Sequence, residues 1–221
     1  MKKCLSLIVC LALILSMSAM FAGCSSELSK FVGKWETKID MAEFLNEGFA
    51  QGDKEMAEFL EVDEFELTLV IEFNDDYTYE KAIDEDAAED AIDDLKDDMK
   101  DGFEKYFEKM LKDQGIDMGV EDALKASNTS LDEMLDEALG DDLIDNLTKE
   151  LNTEGNFEIG TGDEKGRLYL SDGLNHDPDE DVYEVYTIED DELTFVKSVG
   201  GSDEDKEVAD KIYPLEFKRV D

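Results

Sequence analysis

The sequence predicts a mainly β protein with helical insertions (α+β): an eight-stranded antiparallel up-and-down barrel with helices between strands 1 and 2 and between strands 3 and 4. Three observations predict it. Apolar and polar residues alternate at period 2 in eight short runs; between the third and fourth runs, across residues 84–154, the apolar period becomes helical; and the later runs are joined by short connectors rich in Gly and Asp. Eight is the number of antiparallel strands that closes a small barrel and leaves no exposed edge.

In chain order, residues 1–23 read as a cleaved leader. Lys2 and Lys3 form a basic start, residues 5–20 an apolar run, and Phe21-Ala22-Gly23 lead into Cys24. A run of about 16 apolar residues is short for a membrane span, which needs about 20. Cys4 and Cys10 leave with the leader, so the mature chain keeps Cys24 alone and has no intrachain disulfide; its fold depends on its core. Residues 24–30 read as a tether of about 20 Å when extended, and residues 31–221 as one domain.

Residues 31–39 place Phe31, Gly33, Trp35, Thr37 and Ile39 on one face, which predicts the first strand. Asp40, with Glu43 three residues on, predicts the cap of a helix bearing Met41, Phe44, Leu45 and Phe49. Strand 2 is predicted over 65–73, where Phe65, Leu67, Leu69, Ile71 and Phe73 alternate. Asn74-Asp75-Asp76 is turn chemistry and 77–82 returns as its hairpin partner. In the insert, Ala88, Ile92, Leu95, Met99, Phe103, Tyr106, Met110 and Leu111 follow helical spacing and Gly115 ends the helix. Ser130-Leu131-Asp132-Glu133 is a capping box that opens another helix, with Gly140 as a break or bend. Strands 4–8 follow at 156–160, 167–171, 182–188, 192–198 and 213–220, with residues 200–210 read as a connector.

Charge bounds the partners. The chain carries 61 acidic and 21 basic residues, a net −40. Without Lys2 and Lys3 the mature 198 residues carry 61 acidic against 19 basic, a net −42. Nucleic acid is disfavoured, because binding it requires clustered Lys and Arg to neutralise phosphates. So large a charge favours a soluble monomer and weakens the compact state by self-repulsion, a cost that salt or cations reduce.

The inventory of reactive groups points away from an enzyme. His176 is the single histidine, so neither a two-histidine metal site nor a Ser-His-Asp triad can be assembled from this chain. Carboxylate pairs are too abundant to single out an acid/base couple. One local cluster stands out: Asp172, Asn175, Asp177, Asp179 and Asp181 offer the alternating oxygen ligands that calcium prefers. The EF-hand spacing is not met, since Glu180 stands where glycine is needed and Tyr186 where the last Glu belongs. A plain acidic loop accounts for the same residues. The stripe Met99, Phe103, Phe107 and Met110 reads as packing surface or as the lining of a pocket.

Two resemblances carry further expectations. Phe21-Ala22-Gly23-Cys24 resembles the bacterial lipobox, with Phe in place of the usual Leu; it implies a diacylglycerol on the Cys24 thiol, cleavage just before it, and a cell-membrane, extracytoplasmic location. Gly33-Lys34-Trp35 on strand 1, with Phe217-Lys218-Arg219 on strand 8, resembles the lipocalin and calycin pattern, which implies that Trp35 plugs the barrel floor and Arg219 or Lys218 caps its indole. The leader, the Gly-x-Trp start, the acidic middle and the ending Pro214-Leu215-Glu216-Phe217-Lys218-Arg219 are together similar to small lipoproteins of Gram-positive gut bacteria. Together they imply a lipid-anchored binding or interaction module that takes a small apolar or amphipathic ligand, or, in the alternative, an accessory envelope protein without a ligand site whose acidic surface meets divalent cations, cell wall or an envelope protein.

Overall fold

The computed structural model describes residues 27–52, 54–139 and 141–220. Eight strands close into a barrel in chain order: β1 (Gly33–Asp40), β2 (Glu66–Phe73), β3 (Thr78–Ile83), β4 (Thr153–Ile159), β5 (Arg167–Leu170), β6 (Tyr183–Glu189), β7 (Glu192–Val199) and β8 (Leu215–Val220). Pairing is antiparallel, with Phe157 opposite Leu170 and Leu193 opposite Phe217. A register shift between Val185 and Tyr186 interrupts the β6–β7 ladder, the kind of irregularity that bends a strand where a barrel must curve.

Period 2 made β1 and β2 legible because each buries alternate residues, whereas β5 buries the adjacent Leu168 and Tyr169 and β6 buries Tyr186 alone. In β1, Trp35, Thr37 and Ile39 are buried; in β2, Leu67, Leu69, Ile71 and Phe73 are. Between β1 and β2 lie α1 (Ala42–Gly52) and α2 (Lys54–Ala57); between β3 and β4 lie α3 (Glu85–Asp113), α4 (Val120–Ala126), α5 (Leu131–Leu139) and α6 (Asp141–Leu151).

By compactness the chain forms two units, one holding the residues up to Trp35, Ile71–Glu80 and Glu154–Asp221, the other Glu36–Val70 and Lys81–Thr153. In the first, the β unit, packing is aromatic. Phe31, Trp35, Phe73, Phe157 and Phe217 are at most 1 % exposed. Phe31 meets Phe73 at 5.4 Å and Tyr186 at 4.8 Å, and Phe73 meets Phe157 at 4.9 Å, all edge-on, the arrangement ring quadrupoles favour.

In the second, the helical unit, α3 starts where the Asp84 carboxylate accepts from the Ala87 amide and buries Ala88, Ile92, Leu95, Met99 and Leu111. It stops beside Gly115, where the Ile116 amide donates to the Leu111 carbonyl and the Gly115 amide to that of Lys112. Gly102, also buried, has a reason of its own. A Cβ there would lie 2.2 Å from the Phe59 carbonyl oxygen, so only glycine lets the α2–β2 connection pass this close. At α5 the capping box forms as the sequence implies, the Ser130 amide donating to Glu133 at 2.9 Å and the Glu133 amide to Ser130 Oγ at 3.2 Å. Gly140 lies outside the described residues.

Three local expectations are corrected. Strand 1 begins at Gly33, and Phe31 belongs to a helical turn over residues 27–31 that closes with the Val32 amide on the Leu28 carbonyl. Its burial comes from standing against the rings of the β unit, so period 2 was met by coincidence. The stretch read as a tether thus has structure from residue 27. The connector at 200–210 contains α7 (Asp203–Ile212), opened by a reciprocal pair in which the Ser202 amide donates to Asp205 Oδ2 at 2.6 Å and the Asp205 amide to Ser202 Oγ at 3.1 Å. Its density of charge hid the helix from an apolar pattern. Asp40 does cap α1 as expected, accepting from the Ala42 amide at 2.9 Å, and it also accepts from the Phe65 amide at 3.2 Å, tying the end of β1 to the start of β2.

Candidate functional site: the barrel floor and the acidic clefts

Trp35 is fully buried, and its indole N–H finds an acceptor in the Phe31 carbonyl at 2.7 Å. Over the ring lies the Arg219 guanidinium, 4.1 Å from the centroid; such a contact contributes about 0.5 to 2 kcal/mol. The same guanidinium donates to the Val32 carbonyl at 2.7 Å and the Lys30 carbonyl at 2.5 Å, and its Nε stands 3.3 Å from Asp191 Oδ1. Arg219 therefore joins four segments: the helical turn, β1, the β6–β7 turn and its own strand.

Gly33 makes room for this. Its φ is 125°, and a Cβ would sit 2.8 Å from Arg219 Nη1. A side chain here would meet both a backbone region L residues avoid and the guanidinium itself. Gly33, Trp35 and Arg219 thus stand as one contact set. Lys218 instead pairs in register with Glu192. Burial, and then the charge of Glu27, pushes the Tyr186 hydroxyl up to about 12.

The loop between β5 and β6 holds Asp172, Asn175, Asp177, Asp179 and Asp181. Several of its groups bond within the loop or to β4. Asn156 donates through Nδ2 to the carbonyls of Leu174 at 2.9 Å and His176 at 3.1 Å, His176 Nδ1 lies 2.6 Å from the Asp172 carbonyl oxygen, and Asp179 Oδ1 accepts from the Asp181 amide at 2.9 Å. Among the described residues, no group of three or more His, Cys, Asp or Glu is placed to hold a metal ion. The sequence did not single out Asn156; a polar residue inside an alternating strand, facing a long loop, was the available signal.

Among the described residues of the helical unit, clefts open at three places. The largest of them, about 440 Å³, is lined by Lys38, Glu64, Glu66, Asp90, Asp94 and Asp98 over Phe65 and Leu95. Lys38 Nζ bonds Glu66 at 2.6 Å, and that bond raises the lysine pKa. A second, about 270 Å³, lies between α3 and α5, where Lys96 pairs with Asp136 at 2.8 Å and Lys100 with Asp132 at 2.5 Å. The third, about 330 Å³, has Val120, Leu124 and Leu131 in its wall, beside Glu104, Glu121 and Lys125. Phe103, Phe107 and Met110 of the predicted stripe are half-buried, and Met99 is buried. These clefts offer carboxylates and paired lysines, groups that bind cations, amines or amphipathic molecules by charge.

Among the described residues no helix is long and apolar enough to cross a membrane. Cys24 lies outside the described residues. No protein-family model, no curated protein and no solved structure matches the chain.

Proposed function

We propose that this chain is a lipid-anchored extracytoplasmic accessory module, held at the membrane by Cys24, that works through its outer surface without catalysing a reaction. The observation that carries this reading is the aromatic filling of the β unit. Phe31, Phe73 and Phe157 meet ring to ring and Trp35 is fully buried beside them in the same unit, dense packing that favours a filled interior over a ligand cavity. The contact set of Gly33, Trp35 and Arg219 supports a lipocalin-like ancestry for such a barrel. The acidic surface keeps the body soluble beside an anionic bilayer, so the lipid is its membrane contact.

The Cys24→Ala variant tests the anchor. It should leave washed membranes and appear in the soluble fraction with an unchanged circular dichroism spectrum; full retention in washed membranes would sink the reading.

A second reading, a carrier of a small amphipathic ligand, is favoured by the cleft of about 330 Å³ lined by Val120, Leu124 and Leu131, which reaches the size of small-molecule sites. Native mass spectrometry of the mature domain purified from its host separates the two. A retained mass lost on Leu124→Asp favours the carrier; the bare polypeptide mass favours the surface module.

A further inference from the structure

An up-and-down barrel sends alternate strands in opposite directions, so its loops fall at two ends. β1 begins and β8 ends at the same end as the turns 74–77, 160–166 and 190–191, while the loop 171–182 lies at the other. The contacts agree: Arg219, at the close of β8, bonds Asp191 in the β6–β7 turn and the carbonyls of Lys30 and Val32 just before β1. We infer that the barrel meets the membrane floor-first, with the Arg219-clamped end against the bilayer and the loop 171–182 directed away from it. This rests on the lipid-anchored reading above.

Reach fixes the orientation. Arg219 holds residues 30 and 32, Trp35 holds the Phe31 carbonyl, and Phe31 is fully buried, so the chain is fixed to the barrel from the helical turn onward. Only Ser25 and Ser26 separate the acylated Cys24 from residue 27. Three peptide steps cover about 10 Å, whereas β6, seven residues long, spans about 20 Å at the usual rise per residue. A leash this short does not let the barrel turn over. The floor therefore presents its own rim to the lipid headgroups, including Lys30, Lys34 and Asp163, and the acidic loop with Asp177 and Asp179 faces outward.

The test uses the full lipidated chain in phosphatidylcholine vesicles carrying a headgroup acceptor dye. Acylation consumes the Cys24 thiol, so a cysteine introduced by Asp163→Cys or Asp177→Cys is the single free thiol for a donor dye. Transfer from residue 163 should exceed that from residue 177 by about two-fold, given ends separated by about 20 Å. A twelve-residue Gly/Ser insertion between Ser26 and Glu27, which leaves every clamped residue in place, should abolish the difference, and Arg219→Gln should reduce it.

Equal transfer from the two positions, or greater transfer from residue 177, overturns the floor-first orientation while the anchor stands, provided that binding still requires Cys24. Membrane retention of Cys24→Ala overturns the anchor and the orientation with it. A ratio unchanged by the Gly/Ser insertion overturns the argument from leash length.

Discussion

The two compact units hold themselves together by different means. In the β unit, rings meet rings: Phe31, Phe73, Phe157 and Tyr186 form a buried network, and Phe195 meets Phe217 at 5.1 Å. In the helical unit, apolar stripes are joined at their margins by charge, with Lys96 on Asp136, Lys100 on Asp132, and Lys109 on Glu55. The helical unit carries 35 acidic against 10 basic residues, a net −25, more than half of the mature chain's excess. Exposed ion pairs contribute little individually, so here they relieve like-charge repulsion rather than add much attraction. The β unit is held by packing that charge does not weaken, while the helical unit buries Leu67, Leu69, Ile92 and Leu95 and carries most of the charge.

The comparison breaks first, and most strongly, at an aromatic residue. Phe157 is fully buried and touches the rings of Phe73 and Tyr77 at 4.9 and 5.6 Å. Phe157→Ala should cost about 3 to 5 kcal/mol in denaturant unfolding, the usual range for a buried Phe. Phe59, half-buried against Tyr106 at 6.1 Å in the helical unit, should cost less than half as much on the same change. Equal losses would show that the helical unit depends on its rings just as heavily.

Two glycines sharpen the contrast at smaller cost. Gly102→Ala pushes a methyl into the Phe59 carbonyl, a backbone atom that cannot swing away, and should destabilise by about 1 to 3 kcal/mol, the range for overpacking. Gly33→Ala meets the tip of a flexible Arg219 side chain, so part of its effect is displacement of the guanidinium from Trp35. Indole fluorescence distinguishes them: Gly33→Ala should shift the Trp35 emission in the folded protein, and Gly102→Ala should leave it unchanged. A Trp35 spectrum indifferent to Gly33→Ala would mean that glycine is not what admits Arg219.

The barrel was legible where strands bury alternate residues; Leu67, Leu69, Ile71 and Phe73 declared β2 without ambiguity. The long helix was legible through Ala88, Ile92, Leu95 and Met99. What escaped were features set by tertiary contact. Gly102 gave no sequence signal, because what requires it is the Phe59 carbonyl. Phe31 fitted the strand pattern while belonging to a turn, because a buried side chain satisfies either. α7 bears mostly charge and announces itself only through Ser202 and Asp205. Of the floor set, Gly33, Trp35 and Arg219 were visible as types at fixed places, but the carbonyls of Lys30 and Val32 that Arg219 binds were not, since backbone acceptors leave no trace in residue identity.

The smallest effect to separate the units is alkaline. Six of the seven tyrosines lie in the β unit, and burial pushes three of them up, Tyr79 and Tyr186 to about 12 and Tyr213, beside Glu184, also upward. A Tyr exposed on unfolding titrates near 10. Above that pH the unfolded chain gives up these protons while the folded chain keeps them, so stability falls as pH rises. The contribution of Tyr79 and Tyr186 is whole below about pH 10 and lost by about pH 12. Thermal unfolding should therefore move to lower temperature across this window, and Tyr186→Phe should flatten the decline because one proton no longer distinguishes the two states. An identical slope in Tyr186→Phe, and again when Tyr79 and Tyr213 are also changed to Phe, would assign the alkaline loss to the lysines that relieve repulsion in the helical unit, and the contrast between the two units would then fail at high pH.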